Sequence, residues 1–315
     1  MQSQNHFKFN EGVLYVVCTE GAGPGPGGGG RVSGPRWARS QLCRDARASR
    51  SPATVIHEHT MPANVSESRS GVSSFLSRWW RALLSELVST ALLVLLGVAS
   101  LLPVDGAPAP LTHPALAFGC VVVANVEAFG PSSGAHMNPA VTLAALLDRR
   151  LAPLPALCYV LVQLLGATLG FALLMALTPD TFVGDVIVGG NAPGSVGPVA
   201  AAAVEALLTG VLALLCCGVW RAHEQGKEDP AVSIKFGLTI AGLIYAGGVM
   251  SSACLNPARS FAPAVLQGFR SDHWVYWVGP LGGSALATLL HRYALRPPPL
   301  APLAQPEELP LNDKP

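Results

Sequence analysis

Two copies of one tripeptide, Asn138-Pro139-Ala140 and Asn256-Pro257-Ala258, stand in apolar surroundings. Asparagine is a strong helix N-cap, and proline suits the first helical position because the N–H it lacks would go unpaired there. Each copy therefore predicts a helix starting at its asparagine, over 138–147 and 256–266. A helix start carries roughly half a positive charge, and an asparagine amide adds N–H donors. Two such starts brought together would repel cations and offer hydrogen bonds to a passing oxygen. This chemistry is recognition and exclusion rather than bond making. Arg259 directly follows the second copy. An arginine at membrane depth costs about 2.5–3.5 kcal/mol and needs a reason, the plainer reading being a loop cation snorkelling to the interface. Glu86 and Glu205 lie within apolar runs. They are read as acceptors for loop backbone, holding each short helix in place, with a proton relay as the other reading. Gln163 is expected to bond internally in the same way.

The elements that must position these residues follow from composition. Of 315 residues, 50% are hydrophobic and only 12% charged, about half the charged fraction of a soluble domain. The mean hydropathy is +0.41. A polytopic membrane protein fits, and a net charge of +1 leaves no overall basic surface for nucleic acid. Six runs are long enough to span a bilayer: 82–102, 113–129, 154–177, 197–219, 232–250 and 273–293. At about 1.5 Å per residue the two short segments reach only half way across. A repeat orders these pieces. SGAHMNPAVTLAALL (133–147) aligns with SACLNPARSFAPAVL (252–266), and SELVSTALLVLLG (85–97) with VEALLTGVLALLC (204–216). Each half holds three spans, an odd number, so the second half enters from the opposite face. Such inverted repeats place a site at mid-membrane, between the halves. The expected fold is an all-α membrane protein with six transmembrane helices and two re-entrant half-helices, meeting N-terminus to N-terminus. Irregular backbone at that depth survives only where it lines a wet path or is packed in protein.

Loop charges set the orientation. Arg69, Arg78 and Arg81, then Arg149 and Arg150, Arg221 and Lys227, and Arg292 and Arg296 all fall on one side. Both ends of the chain are therefore expected in the cytoplasm. Residues 1–77 read as a disordered tail, 78–294 as the channel domain and 295–315 as a second disordered tail. The first tail, with GAGPGPGGGG at 21–30 and scattered arginines, has too little apolar surface to offset the entropy of ordering. Two alternatives are a basic arm for an anionic leaflet and a natural start at Met61. The sequon at Asn64 would then go unused in the cytosol. The seven cysteines form no ligand set and are read as small buried hydrophobes, with palmitoylation of Cys216-Cys217 as an alternative. No cofactor and no metal are expected, and with neither a nucleotide loop nor a nucleophile set an enzyme is disfavoured.

GAHMNPAVT (134–142) and LNPARSFAPAV (255–265) together resemble the aquaporins of the major intrinsic protein family, over about residues 78–294. The wording of 85–97 is similar to insect members, including their glycerol-permeable branch. The resemblance implies two constrictions, one at Asn138 and Asn256 and one at an aromatic/arginine filter on the extracellular side. Counting from the two asparagines places Phe118, Ile244, Ala253 and Arg259 in that filter, with Leu243 or Tyr245 standing in for Ile244 on a one-residue shift. His136 is expected to act through its backbone carbonyl. Water-selective members carry histidine where this chain has Ile244, so an aliphatic wall favours small neutral solutes such as glycerol or urea alongside water. Against this, Ser260, Ala264, Tyr276 and Trp277 follow the pattern of water channels, where bacterial-type glycerol channels have aspartate at 260. Cysteine is usual at 253 in mercury-sensitive members, so Ala253 predicts no inhibition at that site. The resemblance further implies a homotetramer in the lipid bilayer, with the plasma membrane the expected location. Two rivals remain open: a coupled transporter, and a poorly conducting structural or adhesion member of the same fold. Gly166–Gly170 and Gly279–Gly283 are small-xxx-small patterns read as close packing within the bundle.

Overall fold

The computed structural model describes residues 7–10, 13–16, 71–103, 107–179, 189–227 and 229–296. The chain divides into two units, Met1–His59 and Thr60–Pro315. In the first, β1 (Phe7–Asn10) pairs antiparallel with β2 (Val13–Val16), within the stretch expected to be unstructured. Cys18, Cys43, the sequon at Asn64, Met61 and residues 297–315 lie outside the described residues.

Among the described residues the second unit is built of helices. Its helices are α1 (Val72–Ala99), α2 (Thr112–Ser133), α3 (Pro139–Leu147), α4 (Pro153–Leu177), α5 (Pro198–Glu224), α6 (Val232–Ser251), α7 (Pro257–Gln267) and α8 (Val275–Leu290). Five are long and apolar enough to cross a membrane: α1, α2, α4, α5 and α6. The sixth expected span, α8, has 16 residues and falls short alone. A π-helical turn at His291–Leu295 continues it, and the combined length reaches the roughly 30 Å of a hydrocarbon core.

Two boundaries differ from expectation. Helix α1 begins at Val72, not at 82 or at the domain edge of 78. Hydropathy ends at the charges Arg78 and Arg81, but nothing in SSFLSRWWR breaks a helix. The added turns carry Trp79 edge-on to Tyr159 at 6.2 Å and Arg81 over the Trp80 ring at 5.2 Å, a pattern suited to a membrane interface. Helix α2 runs through Pro131 to Ser133, four residues past the expected end. The stop is Gly134, at φ 85°, whose N–H donates to Gly130 O. Left-handed glycine closes helices this way because it has no Cβ to clash.

Exposure is inverted relative to a water-soluble protein. Leu154, Leu157, Leu161, Leu165, Leu169 and Leu173 form an exposed stripe along α4. Glu86, Gln163 and Glu205 are fully buried. In lipid this is the stable arrangement, since polar groups must find partners inside the bundle.

The repeat maps the packing onto itself. Helix α1 packs on α4 as α5 packs on α8, and α1 on α2 as α5 on α6. Half-helix α7 lies against α4 as α3 lies against α8, while α2 meets α6 and α3 meets α7 across the axis of the repeat. Glycines allow the closest approaches. A Cβ on Gly166 or Gly170 would stand 2.3 Å from Leu87 O or 2.2 Å from Ala91 O on α1. On Gly283 it would stand 1.9 Å from Ala206 O on α5. These small-residue patterns pack inside the bundle.

Of the cysteines, Cys216, Cys217 and Cys254 are buried, but Cys120 is exposed and Cys158 half-buried. The uniform reading as buried hydrophobes is corrected for these two: Cys120 lies on an outward face of α2 and Cys158 on α4. Burial of Cys216 and Cys217 leaves no accessible thiol for a palmitoyl group.

Candidate functional site

The two loops that enter the membrane have the same backbone. Gly134, Ala135 and Met137 have φ of 85°, 48° and 54°. Their counterparts Ser252, Ala253 and Leu255 have 72°, 43° and 55°. Left-handed alanine, methionine and leucine are strained and persist only where surroundings over-determine them. Here two buried carboxylates supply the constraint. Glu86 Oε1 accepts from Ser133 Oγ at 2.7 Å and His136 N at 2.8 Å, and its Oε2 from Met137 N and Gln163 Nε2, both at 2.8 Å. Glu205 Oε1 accepts from Ser251 Oγ and Cys254 N, and its Oε2 from Leu255 N, all at 2.8 Å. Gln163 also donates to Thr142 Oγ1 at 2.9 Å, which ties the first carboxylate to half-helix α3. Among the described residues no side-chain amide bonds Glu205; Gly283 meets Ala206 O as Gly166 meets Leu87 O, which sets Pro280 at the place of Gln163.

From these loops the half-helices begin. Asn138 Oδ1 accepts from Ala140 N at 2.8 Å. Asn256 Oδ1 accepts from Ala258 N at 3.0 Å and Arg259 N at 3.4 Å. Pro139 and Pro257 occupy the first helical positions. The amide nitrogens then cross over. Asn138 Nδ2 donates to Leu255 O at 2.9 Å, and Asn256 Nδ2 donates to Met137 O at 2.8 Å. Each asparagine thus caps its own helix with oxygen and grips the opposite loop with nitrogen. A carboxamide has two N–H bonds, so one N–H of each remains at the meeting point. Both residues are buried, at 5% and 6% exposure, with Ala140 and Ala258 fully buried beside them.

Arg259, 6% exposed, sits in the first turn of α7. Its Nη1 donates to Gly189 O at 2.6 Å and to Asn191 Oδ1. Its guanidinium carbon lies 5.8 Å from the centre of the Phe118 ring, within range of a cation–π contact. The Phe118 ring occupies space that Gly97 leaves open, since a Cβ there would stand 2.3 Å from it. Ile244 and Ala253 are buried in the same apolar cluster as Phe118. On α6, Leu243 also belongs to that cluster, whereas Tyr245 is 44% exposed and faces away. Phe118 and Arg259 are therefore direct neighbours. His136 donates its backbone N–H to Glu86, and its ring meets Thr142 Oγ1 at 3.2 Å and lies edge-on to Tyr159. Tyr159 in turn donates to Ser133 O at 3.1 Å.

Three further residues of this region lie outside the motifs read from the sequence. Asn191 holds Arg259 from a polar loop and has no periodicity to mark it. Asn125, on α2, donates to Ser89 O at 2.9 Å and contacts Met137 Sδ at 3.1 Å. Glu127 lies inside a span and accepts from Ser233 Oγ on α6. It adds a third carboxylate to the two identified from the repeat, and the charge within an apolar run was its only signal.

Residues 73–291 match the family model described as Major intrinsic protein. Aquaporin-2 of Ovis aries is 41% identical over 222 residues, covering 69% of this chain and 80% of that protein. Lens fiber major intrinsic protein of Gallus gallus is 40% identical over 222 residues, covering 70% and 84%. The X-ray structure of the aquaglyceroporin from Plasmodium falciparum superposes with a TM-score of 0.61 at 20% identity, covering 69% of this chain and 97% of that one. At that identity the likeness speaks for the fold.

Proposed function

The chain belongs to the major intrinsic protein family, whose members are membrane channels, and on that footing we propose that it is a passive channel for water. Small neutral solutes such as glycerol or urea pass alongside, while ions and protons are excluded. The observation that carries this reading is the pair of crossed bonds, Asn138 Nδ2 to Leu255 O and Asn256 Nδ2 to Met137 O.

Those bonds place two helix starts and two free N–H donors at one buried point. The asparagine oxygens are committed to their own helices, so a water molecule there meets donors and must accept. Its own hydrogens then point away on both sides, and a chain of donors running through the point is interrupted. The two helix starts add a positive field that disfavours cations. Arg259 and Phe118 form the second constriction. The guanidinium offers N–H to hydroxyl or carbonyl oxygen, and the ring, with Ile244 and Ala253, offers carbon a surface. Glu86 and Glu205 act as fixed acceptors for the loops, since each already holds three or four donors.

The plasma membrane, cytoplasmic ends and a homotetramer with one passage per subunit belong to the same proposal. The insect-type wording of 85–97 bears on solute preference alone. The test is osmotic swelling of vesicles holding the full chain, with water, glycerol and urea fluxes compared between wild type and Ile244→His. Wild type is expected to swell rapidly, and Ile244→His to lose glycerol and urea flux relative to water. Equal selectivity in the two would remove the role given to the aliphatic wall, and no swelling at all would remove the channel.

A further inference from the structure

Beside Asn191, which holds Arg259, lies a small cavity of about 20 Å³, room for a water molecule. Asn191, Ser260, Arg270 and His273 are among its lining residues. Asn191 is 93% buried by its 7% exposure. Its oxygen holds Arg259, while its amide nitrogen has no partner among the described residues. A buried donor left without a partner costs about 1–3 kcal/mol, so this carboxamide is a strained clamp with a reason to rearrange.

His273 also lines the cavity. Its Nε2 accepts from Trp277 Nε1 at 3.0 Å, which requires the imidazole to be neutral with its proton on Nδ1. Phe269 lies edge-on to the ring at 5.0 Å, and Phe261 closes the aromatic group against Phe269 and Trp277. The titratable and charged groups around it are Asp272 and Arg270, paired with each other at 3.1 Å, Tyr276 on the following helical turn, and Arg259 beyond Asn191. Burial pushes the His273 imidazole below its ordinary value of 6.5, with the Asp272 carboxylate opposing part of that effect. In this structure the bond from Trp277 Nε1 holds the ring in its neutral form.

We propose that this cavity is a proton-sensing site: a proton on His273 loosens the hold of Asn191 on Arg259 and lowers water flux. The proton comes from solution and binds Nε2, the atom that accepts from Trp277. Two donors then face each other, and the ring must leave the indole. Among the side chains that line the cavity, Asn191 Oδ1 and Ser260 Oγ can accept. An imidazolium that takes Asn191 Oδ1 removes the side-chain tether of Arg259, and its charge repels the guanidinium toward the passage. Gly189 O alone then holds the arginine, and the second constriction narrows. The inference rests on the channel reading above.

The experiment is stopped-flow swelling of proteoliposomes holding the full chain, with equal pH inside and out. Wild type is expected to conduct at pH 7.5 and to lose about twofold or more of its water permeability by pH 5.5, the range in which histidine titrates. His273→Gln, whose amide oxygen can still accept from Trp277, is expected to show no such loss. Asp272→Asn removes the group that supports the imidazolium and moves the midpoint to lower pH, a shift that a purely structural role would not give. A conducting wild type with equal flux at both pH values overturns the proposal, as does a His273→Gln variant that falls as steeply. Tryptophan emission of the same samples separates the two readings. A quench with its midpoint below pH 6.5 in wild type, absent in His273→Gln, supports the proton site even if flux is missing at both pH values, which would remove the channel alone. Identical emission curves overturn the proton site itself.

Discussion

At the scale of single residues, the buried carboxylates do unequal work. Glu86 accepts four hydrogen bonds and Glu205 three. Replacing either by glutamine turns an acceptor into an amide that faces an N–H donor. Each mismatch costs about 1–3 kcal/mol. Glu86→Gln is therefore expected to lower the thermal midpoint in detergent more than Glu205→Gln does, since Gln163 also loses its acceptor. Equal losses would show that the extra donor contributes nothing. These carboxylates were legible in the sequence because a charge in an apolar run needs a partner and because the repeat supplied a matching position. Asn138 and Asn256 were legible because capping chemistry is local. Asn191 was not: the arginine it holds is 68 residues away, and nothing in GGNAPG records that contact. Gly97 was equally silent, since its role appears only when the Phe118 ring is set against it.

At the scale of elements, close helix approach at glycines fixes the frame on which the loops hang. Gly283 lies against Ala206 O with no room for a Cβ, whereas Gly282, its neighbour, meets nothing within 4 Å. Gly283→Ala is expected to force α5 and α8 apart at a cost of about 1–3 kcal/mol, the usual range for overpacking. Gly282→Ala should be neutral or slightly stabilising, because alanine is the better helix former. Thermal unfolding monitored by size-exclusion chromatography would check both, and a Gly283→Ala protein as stable as Gly282→Ala would mean that the helices part without loss. Hydropathy located the spans but not all their ends. Helix α1 continues past its arginines because an interfacial helix needs no apolar window, and α2 stops where Gly134 can turn left-handed. The π-helical turn after α8 has no pattern by which its sequence could announce it.

At the scale of the whole molecule, the repeat orders everything else. Six crossings return the chain to the side on which α1 begins, and the charged loops gather there. Arg150, Arg221 and Arg296 all pair with Glu224, joining the α3–α4 loop, the end of α5 and the segment after α8. Epitopes placed at the two ends of the full chain are expected to react with antibody only in permeabilised cells. Labelling of either end on intact cells would refute this orientation. The repeat was readable from matched tripeptides and matched glutamates, and the structure adds how the halves are locked together. The crossed asparagine bonds bridge 117 and 119 residues of chain. While the protein is being synthesised, the first re-entrant loop has no partner for Asn138 until residues near 255 have left the ribosome. The first half therefore waits in the membrane as an unlatched hairpin of spans, and the last steps of maturation are the insertion of the second loop and the closing of both latches at once.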